Sequence, residues 1–311
     1  MSRPFRFAVQ TSSAPDAKTW RQRARDAESM GYSTLYIPDH FGEQWGPLVG
    51  LTVAAEATER LNVGALVFDN DYRHPVVLAK EAATLDVVSE GRFELGIGAG
   101  WLRSDYEQSG LPYDRPGVRI ERLAESLAIM KALWTDGKAS FSGEHYTVTD
   151  AIGDPRPHTR PHPRVCIGGG GRRVLSLAAR EADIVGFNAT LTAGYVGPEA
   201  AATATAEQFD QRVAWVRQAA GERLGQIELQ CHTSFVAVTE DRRSFAEDLA
   251  PAFEITVEEA LEIPLVLVGT IEQMCEQLIE RRERYGFSYW VVSSDSGMEA
   301  FAPVVERLAG T

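Results

Sequence analysis

Strand patterns and helix patterns alternate eight times along this sequence, and no other feature restricts its fold as strongly. Short apolar runs predict strands at 5–12, 34–40, 62–68, 93–100, 164–167, 184–188, 227–238 and 288–293. Helical periodicity predicts helices at 15–30, 47–59, 75–89, 117–134, 172–182, 205–221, 271–285 and 298–308. Strands that alternate with helices form parallel sheets, and eight such units favour an α/β fold of the closed (β/α)8 TIM-barrel type. The alternative is an open, doubly wound sheet.

Three connections are longer than a tight loop, at about 137–163, 190–204 and 239–270. They place insertions after strands 4, 6 and 7, and the first contains a candidate β-hairpin at 141–148. Long insertions on a barrel often form active-site walls or dimer contacts. We expect one barrel domain that covers residues 1–311.

The charge of the chain restricts its partners. Its 311 residues carry a formal net charge of -13, which disfavours nucleic acid and an anionic membrane surface. No apolar run reaches the roughly 18 residues of a membrane span. Cys166, Cys231 and Cys275 are few and widely spaced, as is typical of reduced cytosolic proteins. We therefore predict a cytoplasmic protein with a small-molecule substrate.

The second strand runs directly into Asp39 and His40, and Trp45 follows five residues later. The carboxyl ends of barrel strands are where such enzymes place their chemistry. His40 is therefore a candidate proton donor, proton acceptor or charge stabiliser, and Asp39 is expected to orient it or to bond a cofactor ring. The structural alternative is that Asp39 caps a turn beside an exposed histidine.

Alternating glycines end the fourth strand, where Gly98, Ala99 and Gly100 precede Trp101. Glycines at such a position let a flat ligand lie against the backbone. The spacing differs from the G-x-G-x-x-G that opens a dinucleotide-binding helix. A role in barrel packing is the alternative interpretation.

Four consecutive glycines separate the fifth strand from the next helix: Gly168, Gly169, Gly170 and Gly171. They expose backbone N–H groups at a helix N-terminus, which favours an anion. Arg172 and Arg173 add positive charge there in an otherwise acidic chain. The pattern predicts a phosphate site, and a flexible turn is the alternative.

Asp69 and Asp71 follow the third strand and could act as acids, but helix capping and solvation are the favoured interpretation. His145 and His232 are isolated and are interpreted as structural. His158 and His162 have the spacing of a helical metal pair, but Pro161 between them breaks any helix. No metal site is predicted.

Four motifs together resemble the luciferase-like superfamily of flavin and deazaflavin enzymes, which are (β/α)8 barrels. The motifs are at 36–41, 96–101, 115–123 and 165–171, and the resemblance covers essentially the whole chain. Within the superfamily, the chain looks most like the branch that uses coenzyme F420, a 5-deazaflavin hydride carrier.

The resemblance implies roles for the first half of the site. Asp39 and His40 would lie at the deazaflavin ring, and Trp45 in the substrate pocket. A cis peptide bond near Leu66 and Val67 would place the backbone against the ring.

The resemblance also assigns the glycines. The loop from Gly98 to Gly100 would border the ring, and the run from Gly168 to Gly171 would hold the coenzyme phosphate. The chain departs from the sugar-phosphate dehydrogenases of this branch, which carry Glu where Trp101 stands. The departure favours a flatter or more apolar substrate, such as an unsaturated carbonyl compound or an alcohol, with Trp45 and Trp101 as its walls.

Three functions follow as hypotheses. The leading one is hydride transfer between C5 of F420 and a small organic substrate. The closest alternative is a monooxygenase that uses reduced FMN and oxygen. The third is a non-catalytic flavin-binding barrel. The resemblance implies a homodimer.

Overall fold

Eight parallel strands close on themselves in the computed structural model, which describes residues 3–293 and 297–311. The strands, in chain order, are β1 (Arg6–Gln10), β2 (Thr34–Ile37), β3 (Asn62–Ala65), β4 (Phe68–Asp69), β5 (Phe93–Gly98), β6 (Lys138–Ser142), β7 (Thr147–Ile152), β8 (Arg164–Gly169), β9 (Ile184–Phe187), β10 (Glu228–Thr233), β11 (Phe235–Val238), β12 (Val266–Gly269) and β13 (Phe287–Ser293). The barrel order is β1-β2-β3-β5-β8-β9-β10-β13, and β13 returns to β1. The predicted TIM barrel is confirmed.

Pairing between β3 and β5 closes the barrel, with Gly64 opposite Glu94. A Cβ atom on Gly64 would overlap the Glu94 carbonyl oxygen. The seam therefore requires glycine at this position, because only hydrogen fits between the two backbones.

Helices surround the barrel and follow the strands as the sequence predicts. They are α1 (Ala17–Ser29), α2 (Pro47–Ala57), α3 (Pro75–Val88), α4 (Arg103–Ser109), α5 (Pro116–Thr135), α6 (Arg172–Glu181), α7 (Pro198–Ala201), α8 (Ala206–Ala220), α9 (Arg242–Phe253), α10 (Val257–Glu262), α11 (Ile271–Tyr285) and α12 (Gly297–Leu308). Proline begins α2, α3 and α5, where its missing N–H is not needed. No helix within residues 3–293 and 297–311 is long and apolar enough to cross a membrane.

The insertions contain more structure than the sequence indicated. The first holds the predicted hairpin, in which β6 and β7 are antiparallel. The third holds α9, α10 and β12, none of which was predicted. The predicted strand at 227–238 was wrong in its extent, because the chain leaves the barrel at Ser234 and continues as β11 beside β12. That departure places insertion residues over the carboxyl end of the barrel.

Buried charges fill the barrel interior at the amino ends of the strands. Arg6 donates to Glu94 (2.6 Å) and to Glu228 (2.8 Å), and Arg164 donates to Glu228 (2.8 Å). Burial alone would raise the pKa of Glu94, but Arg6, Arg164 and the Tyr36 hydroxyl hold that pKa below its usual value. The ionic layer forms a floor under the space at the opposite end.

Candidate active site

A cavity of about 950 Å³ lies at the carboxyl ends of the barrel strands. Twelve residues predicted from separate stretches of sequence line it: Asp39, His40, Leu66, Val67, Gly98, Ala99, Gly100, Trp101, Gly168, Gly169, Gly170 and Gly171. The peptide bond between Leu66 and Val67 is cis, as the resemblance implied. The fold thus brings the strand-end motifs to one cavity.

His40 is fixed by a carboxylate that is remote in sequence. Its Nδ1 lies 2.6 Å from Oδ2 of Asp105 on α4, and the Tyr72 hydroxyl donates to the same oxygen at 2.9 Å. A carboxylate accepts hydrogen bonds, so Nδ1 carries the proton and Nε2 is the nitrogen that exchanges a proton with a ligand. The Trp101 ring meets the imidazole edge-on, with centroids 5.5 Å apart. The imidazole is held in one orientation beside the cavity.

Asp39 does not orient His40, and that part of the sequence interpretation was wrong. The Arg73 guanidinium donates to both Asp39 oxygens, at 2.5 and 3.1 Å, and the Asp69 N–H donates to Oδ2 at 3.1 Å. The adjacent carboxylate and imidazole therefore have separate partners. Asp39 is a buried, ion-paired wall of the cavity.

Glycines of β5 make room for the chain that leaves β3. A Cβ atom on Gly96 would overlap the Ala65 carbonyl oxygen, and one on Gly98 would lie 2.7 Å from the Val67 side chain. These glycines therefore serve packing as well as the cavity wall. The packing interpretation and the ligand-facing interpretation of these glycines therefore both hold, because Gly98 packs against Val67 and also lines the cavity.

The second glycine run presents a helix N-terminus to the cavity. Gly171 is the N-cap of α6, and within residues 3–293 and 297–311 no side chain caps that helix. A Cβ atom on Gly170 would overlap the Ala189 carbonyl oxygen, whereas one on Gly171 would meet nothing within 4 Å. The first amides of α6 are therefore available to an anion, which the helix dipole favours.

Arg119 on α5 lines the same cavity, and the sequence analysis missed its importance. It is 3% exposed and stacks on the Tyr113 ring at 4.2 Å. Its Nη1 donates to the Asp114 carbonyl oxygen at 3.0 Å, while its Nε has no hydrogen-bond partner among the residues that the structure describes. A buried guanidinium with a free donor is costly unless a ligand supplies an acceptor. Arg119 lies within the sequence motif at 115–123, but the motif does not show that its Nε lacks a partner.

A polar cluster at the cavity floor was also missed. Nε2 of His232 lies 3.1 Å from Oε1 of Gln10 and 2.5 Å from the Ser293 hydroxyl. Gln10 in turn donates to the Leu66 carbonyl oxygen at 2.7 Å. Burial lowers the pKa of His232 to about 4, so its imidazole is neutral at physiological pH. The cluster supports the backbone under the cavity without adding charge.

The upper part of the cavity is apolar. Residues from the second and third insertions and their flanks supply it: Leu191, Val196, Phe235, Ile263 and Leu265. Trp101 lies on the side where His40 stands. A substrate bound in this part would contact apolar side chains next to the His40 imidazole.

Two predicted residues lie elsewhere. Trp45 packs on Trp20, with ring centroids 5.1 Å apart, and it is not part of the cavity wall, although its neighbour Gln44 is. Arg172 is exposed and is likewise outside the wall. The expectation that Trp45 forms a substrate wall was therefore wrong, because its indole covers the barrel core.

Comparison with known proteins agrees with this architecture. The sequence pattern of the luciferase-like monooxygenase family matches residues 1–262. The chain belongs to that family, which confirms the superfamily resemblance.

Relatives in the family differ in cofactor. An F420-dependent glucose-6-phosphate dehydrogenase of Amycolatopsis mediterranei (strain U-32) is 33% identical over 165 residues, which are 50% of this chain and 49% of the relative. An FMNH(2)-dependent dimethylsulfone monooxygenase of Pseudomonas putida is 32% identical over 203 residues, 59% of this chain and 56% of the relative. The chain thus spans about half the length of these relatives.

The fold is shared with a solved structure of the coenzyme F420 dependent tetrahydromethanopterin reductase from Methanopyrus kandleri. The TM-score is 0.78 and the identity 18%, and the likeness covers 98% of each chain.

Replacing Gly100 should destabilise the protein, while replacing Gly171 should not. Gly100 has a φ of +73°, and a Cβ atom there would overlap the Tyr106 hydroxyl. We expect Gly100→Ala to lower the free energy of unfolding by about 3 kcal/mol. Gly171→Ala should change it by less than about 1 kcal/mol. Urea denaturation measures both, and equal values for the two variants would contradict this account.

Proposed function

We propose that the protein is an F420-dependent oxidoreductase that transfers a hydride between C5 of the deazaflavin and a small organic substrate. One observation carries the proposal: a single cavity joins an uncapped helix N-terminus and an unpaired buried guanidinium to an oriented imidazole. When bound, the coenzyme supplies the hydride chemistry, and the protein supplies orientation and charge.

The residues present fit an anionic coenzyme tail. In the described part of the chain, neither the amides after Gly171 nor the Nε donor of Arg119 has an acceptor, and a phosphate oxygen would supply one to each. In a chain with a formal net charge of -13, an anion binds only where such donors are concentrated. We assign the phosphate to these groups.

His40 is the proposed proton-handling residue. Asp105 holds Nδ1–H, and so Nε2 is left to take a proton from an alcohol or to give one to a carbonyl oxygen. Asp105 also stabilises the imidazolium that forms when Nε2 takes a proton. Tyr72 keeps the carboxylate in place.

The substrate is proposed to be small and uncharged. The apolar wall from Leu191, Val196 and Phe235 offers no cation for a sugar phosphate, and Trp101 occupies space beside His40. A secondary alcohol, a ketone or an unsaturated carbonyl compound suits these surroundings.

The FMNH2-dependent monooxygenase is the second candidate, because the relative in Pseudomonas putida is 32% identical over 59% of the chain, against 33% over 50% for the F420-dependent enzyme of Amycolatopsis mediterranei. Fluorescence titration of the purified protein with oxidised F420 and, separately, with FMN decides between them. We expect saturable F420 binding and weak FMN binding. Tight FMN binding without F420 binding would overturn the proposal, and coenzyme binding without turnover of any substrate would favour the non-catalytic barrel.

A charge placed at Gly171 should block the phosphate. Aspartate at an N-cap accepts hydrogen bonds from helix amides and stabilises the helix. We expect Gly171→Asp to keep or raise the free energy of unfolding and to weaken F420 binding by more than about tenfold through repulsion of the phosphate.

Gly171→Asn is the matched control, because it caps the same amides without a charge. It should weaken F420 binding much less than the aspartate does. If Gly171→Asp binds F420 as tightly as the wild type, the phosphate lies elsewhere.

Loss of the imidazole should affect turnover more than binding. We expect His40→Ala to lower kcat by about 10²–10⁴-fold while the dissociation constant of F420 changes only a few-fold. Asp105→Asn should lower kcat less and should alter its pH profile. Steady-state kinetics on a panel of alcohols and ketones measures this, and His158→Ala, at an exposed position, is the control. Unchanged kcat in His40→Ala would remove the residue from the mechanism.

We also propose a homodimer through α2 and α3. Val49 on α2 is 74% exposed and Val77 on α3 is 50% exposed, and both lie in the first turns of helices that contact each other. A second copy that covers this face would bury them.

The double variant Val49→Glu, Val77→Glu should sediment as a monomer, because two carboxylates in an apolar interface are costly. Ile152→Glu, at another exposed apolar position, should sediment as the wild type does. A monomeric wild type, or a double variant that remains dimeric, would contradict the proposed interface. A cytoplasmic location and a single domain stay predictions.

A further inference from the structure

Four carboxylates with buried side chains crowd around one side of the cavity. Three have a basic partner: Asp39 with Arg73, Asp71 with Arg122, and Asp105 with His40. Asp69, at the end of β4, is 6% exposed and lines the cavity. Within the part of the chain that the structure describes, no basic group contacts it. A buried carboxylate without a cation is costly in its ionised form.

One phenol oxygen meets three carboxylate oxygens here. The Tyr106 hydroxyl lies 3.2 and 3.0 Å from the two oxygens of Asp69 and 3.0 Å from Oδ2 of Asp71. Tyr106 has one proton, and it cannot point at both carboxylates at once. If both acids were ionised, one contact at 3.0 Å would join two oxygens with no proton between them. A single additional proton satisfies both contacts at 3.0 Å.

That proton belongs on Asp69. Asp71 is ion-paired with Arg122 at 2.9 Å, which favours its charged form. With the proton on Oδ2 of Asp69, the Asp69 hydroxyl donates to Tyr106, and Tyr106 donates to Asp71. Burial raises the pKa of Asp69 to about 7, although the Asp71 N–H bond opposes the shift, and the Asp71 charge adds to it.

We propose that Asp69 is a second proton-holding residue of the cavity wall, separate from His40, whose proton is shared with Asp71 through the Tyr106 hydroxyl. The charged and titratable groups that surround it are the Asp39–Arg73 pair, Asp71, Tyr72, Asp105 with His40, Tyr106, Arg119 and Arg122. The glycine at position 100 makes room for the chain of contacts, because any side chain there would overlap Tyr106 and lie 2.5 Å from Asp69.

Ionisation of Asp69 would place negative charge on the cavity wall. An anionic ligand would then bind more weakly as the pH rises through about 7. This consequence rests on the proposed function, whereas the shared proton does not.

A test without ligand comes first. The unfolded carboxyl ionises near its ordinary pKa of 3.8, and the native one near 7, so the native state binds the proton more tightly. The wild type should therefore lose thermal stability relative to Asp69→Asn as the pH rises from 5 to 8. A melting-temperature difference that stays constant over this range would overturn the proposal. If the melting-temperature difference between the wild type and Asp71→Asn changes with pH in this way, and the difference between the wild type and Asp69→Asn does not, the assignment of the proton to Asp69 is overturned.

Carbon NMR of the wild type labelled at the aspartate carboxyl carbons tests the proton directly. We expect one resonance to titrate near pH 7 and to be absent from Asp69→Asn. Tyr106→Phe should shift that titration, because it removes the hydroxyl that contacts both acids. No aspartate resonance titrating between pH 5 and 9 would overturn the proposal even if the asparagine variant fails to fold.

The ligand consequence has its own measurement. F420 affinity of the wild type, divided by that of Asp69→Asn at the same pH, cancels any titration of the coenzyme. If only the protonated acid permits binding and titrates near 7, the ratio should fall about tenfold between pH 6 and pH 8. If the affinity ratio does not change with pH although carbon NMR confirms the titration of Asp69, only the proposed effect on F420 binding is contradicted.

Discussion

The site depends on a close backbone contact between β5 and the segment that leaves β3. Because Gly96 and Gly98 have no side chains, Ala65 and Val67 press against β5. The chain then turns over the strand end and delivers the loop after β4. That loop carries Arg73 onto Asp39 and Tyr72 onto the carboxylate that holds His40. The close packing against β5 thus positions the acidic, basic and imidazole side chains of the site.

Charge pairing explains why the cavity wall can hold so many acids. Asp39, Asp71 and Asp105 each have a basic partner. Asp69 has no such partner among the described residues and contacts the Tyr106 hydroxyl instead. Arg119 and the start of α6 show the reverse pattern, since among the described residues they are donors without acceptors. An acidic protein that concentrates unpaired donors at one place selects an anion there. The cavity therefore offers unpaired donors to a ligand that joins an anionic tail to a redox-active ring.

Much of the fold was predictable because barrel strands are buried on both faces and read as continuous apolar runs. The confirmed elements, such as Ile271–Tyr285, are those with strong periodicity and clear caps. The short helix α4 was not predicted, since its seven residues, Arg103–Ser109, show no apolar stripe. Missing α4 meant missing Asp105, and the adjacent Asp39 was wrongly chosen as the partner of His40. Trp45 shows the same limit, because a tryptophan near a strand end packs equally well on the core or in a pocket.

A crystal structure of the protein soaked with oxidised F420 tests the central claim most directly. The account predicts the phosphate against the first amides of α6 and the Nε of Arg119, with C5 of the deazaflavin beside Nε2 of His40. A phosphate bound away from those donors, or a ring placed away from that imidazole, would contradict it.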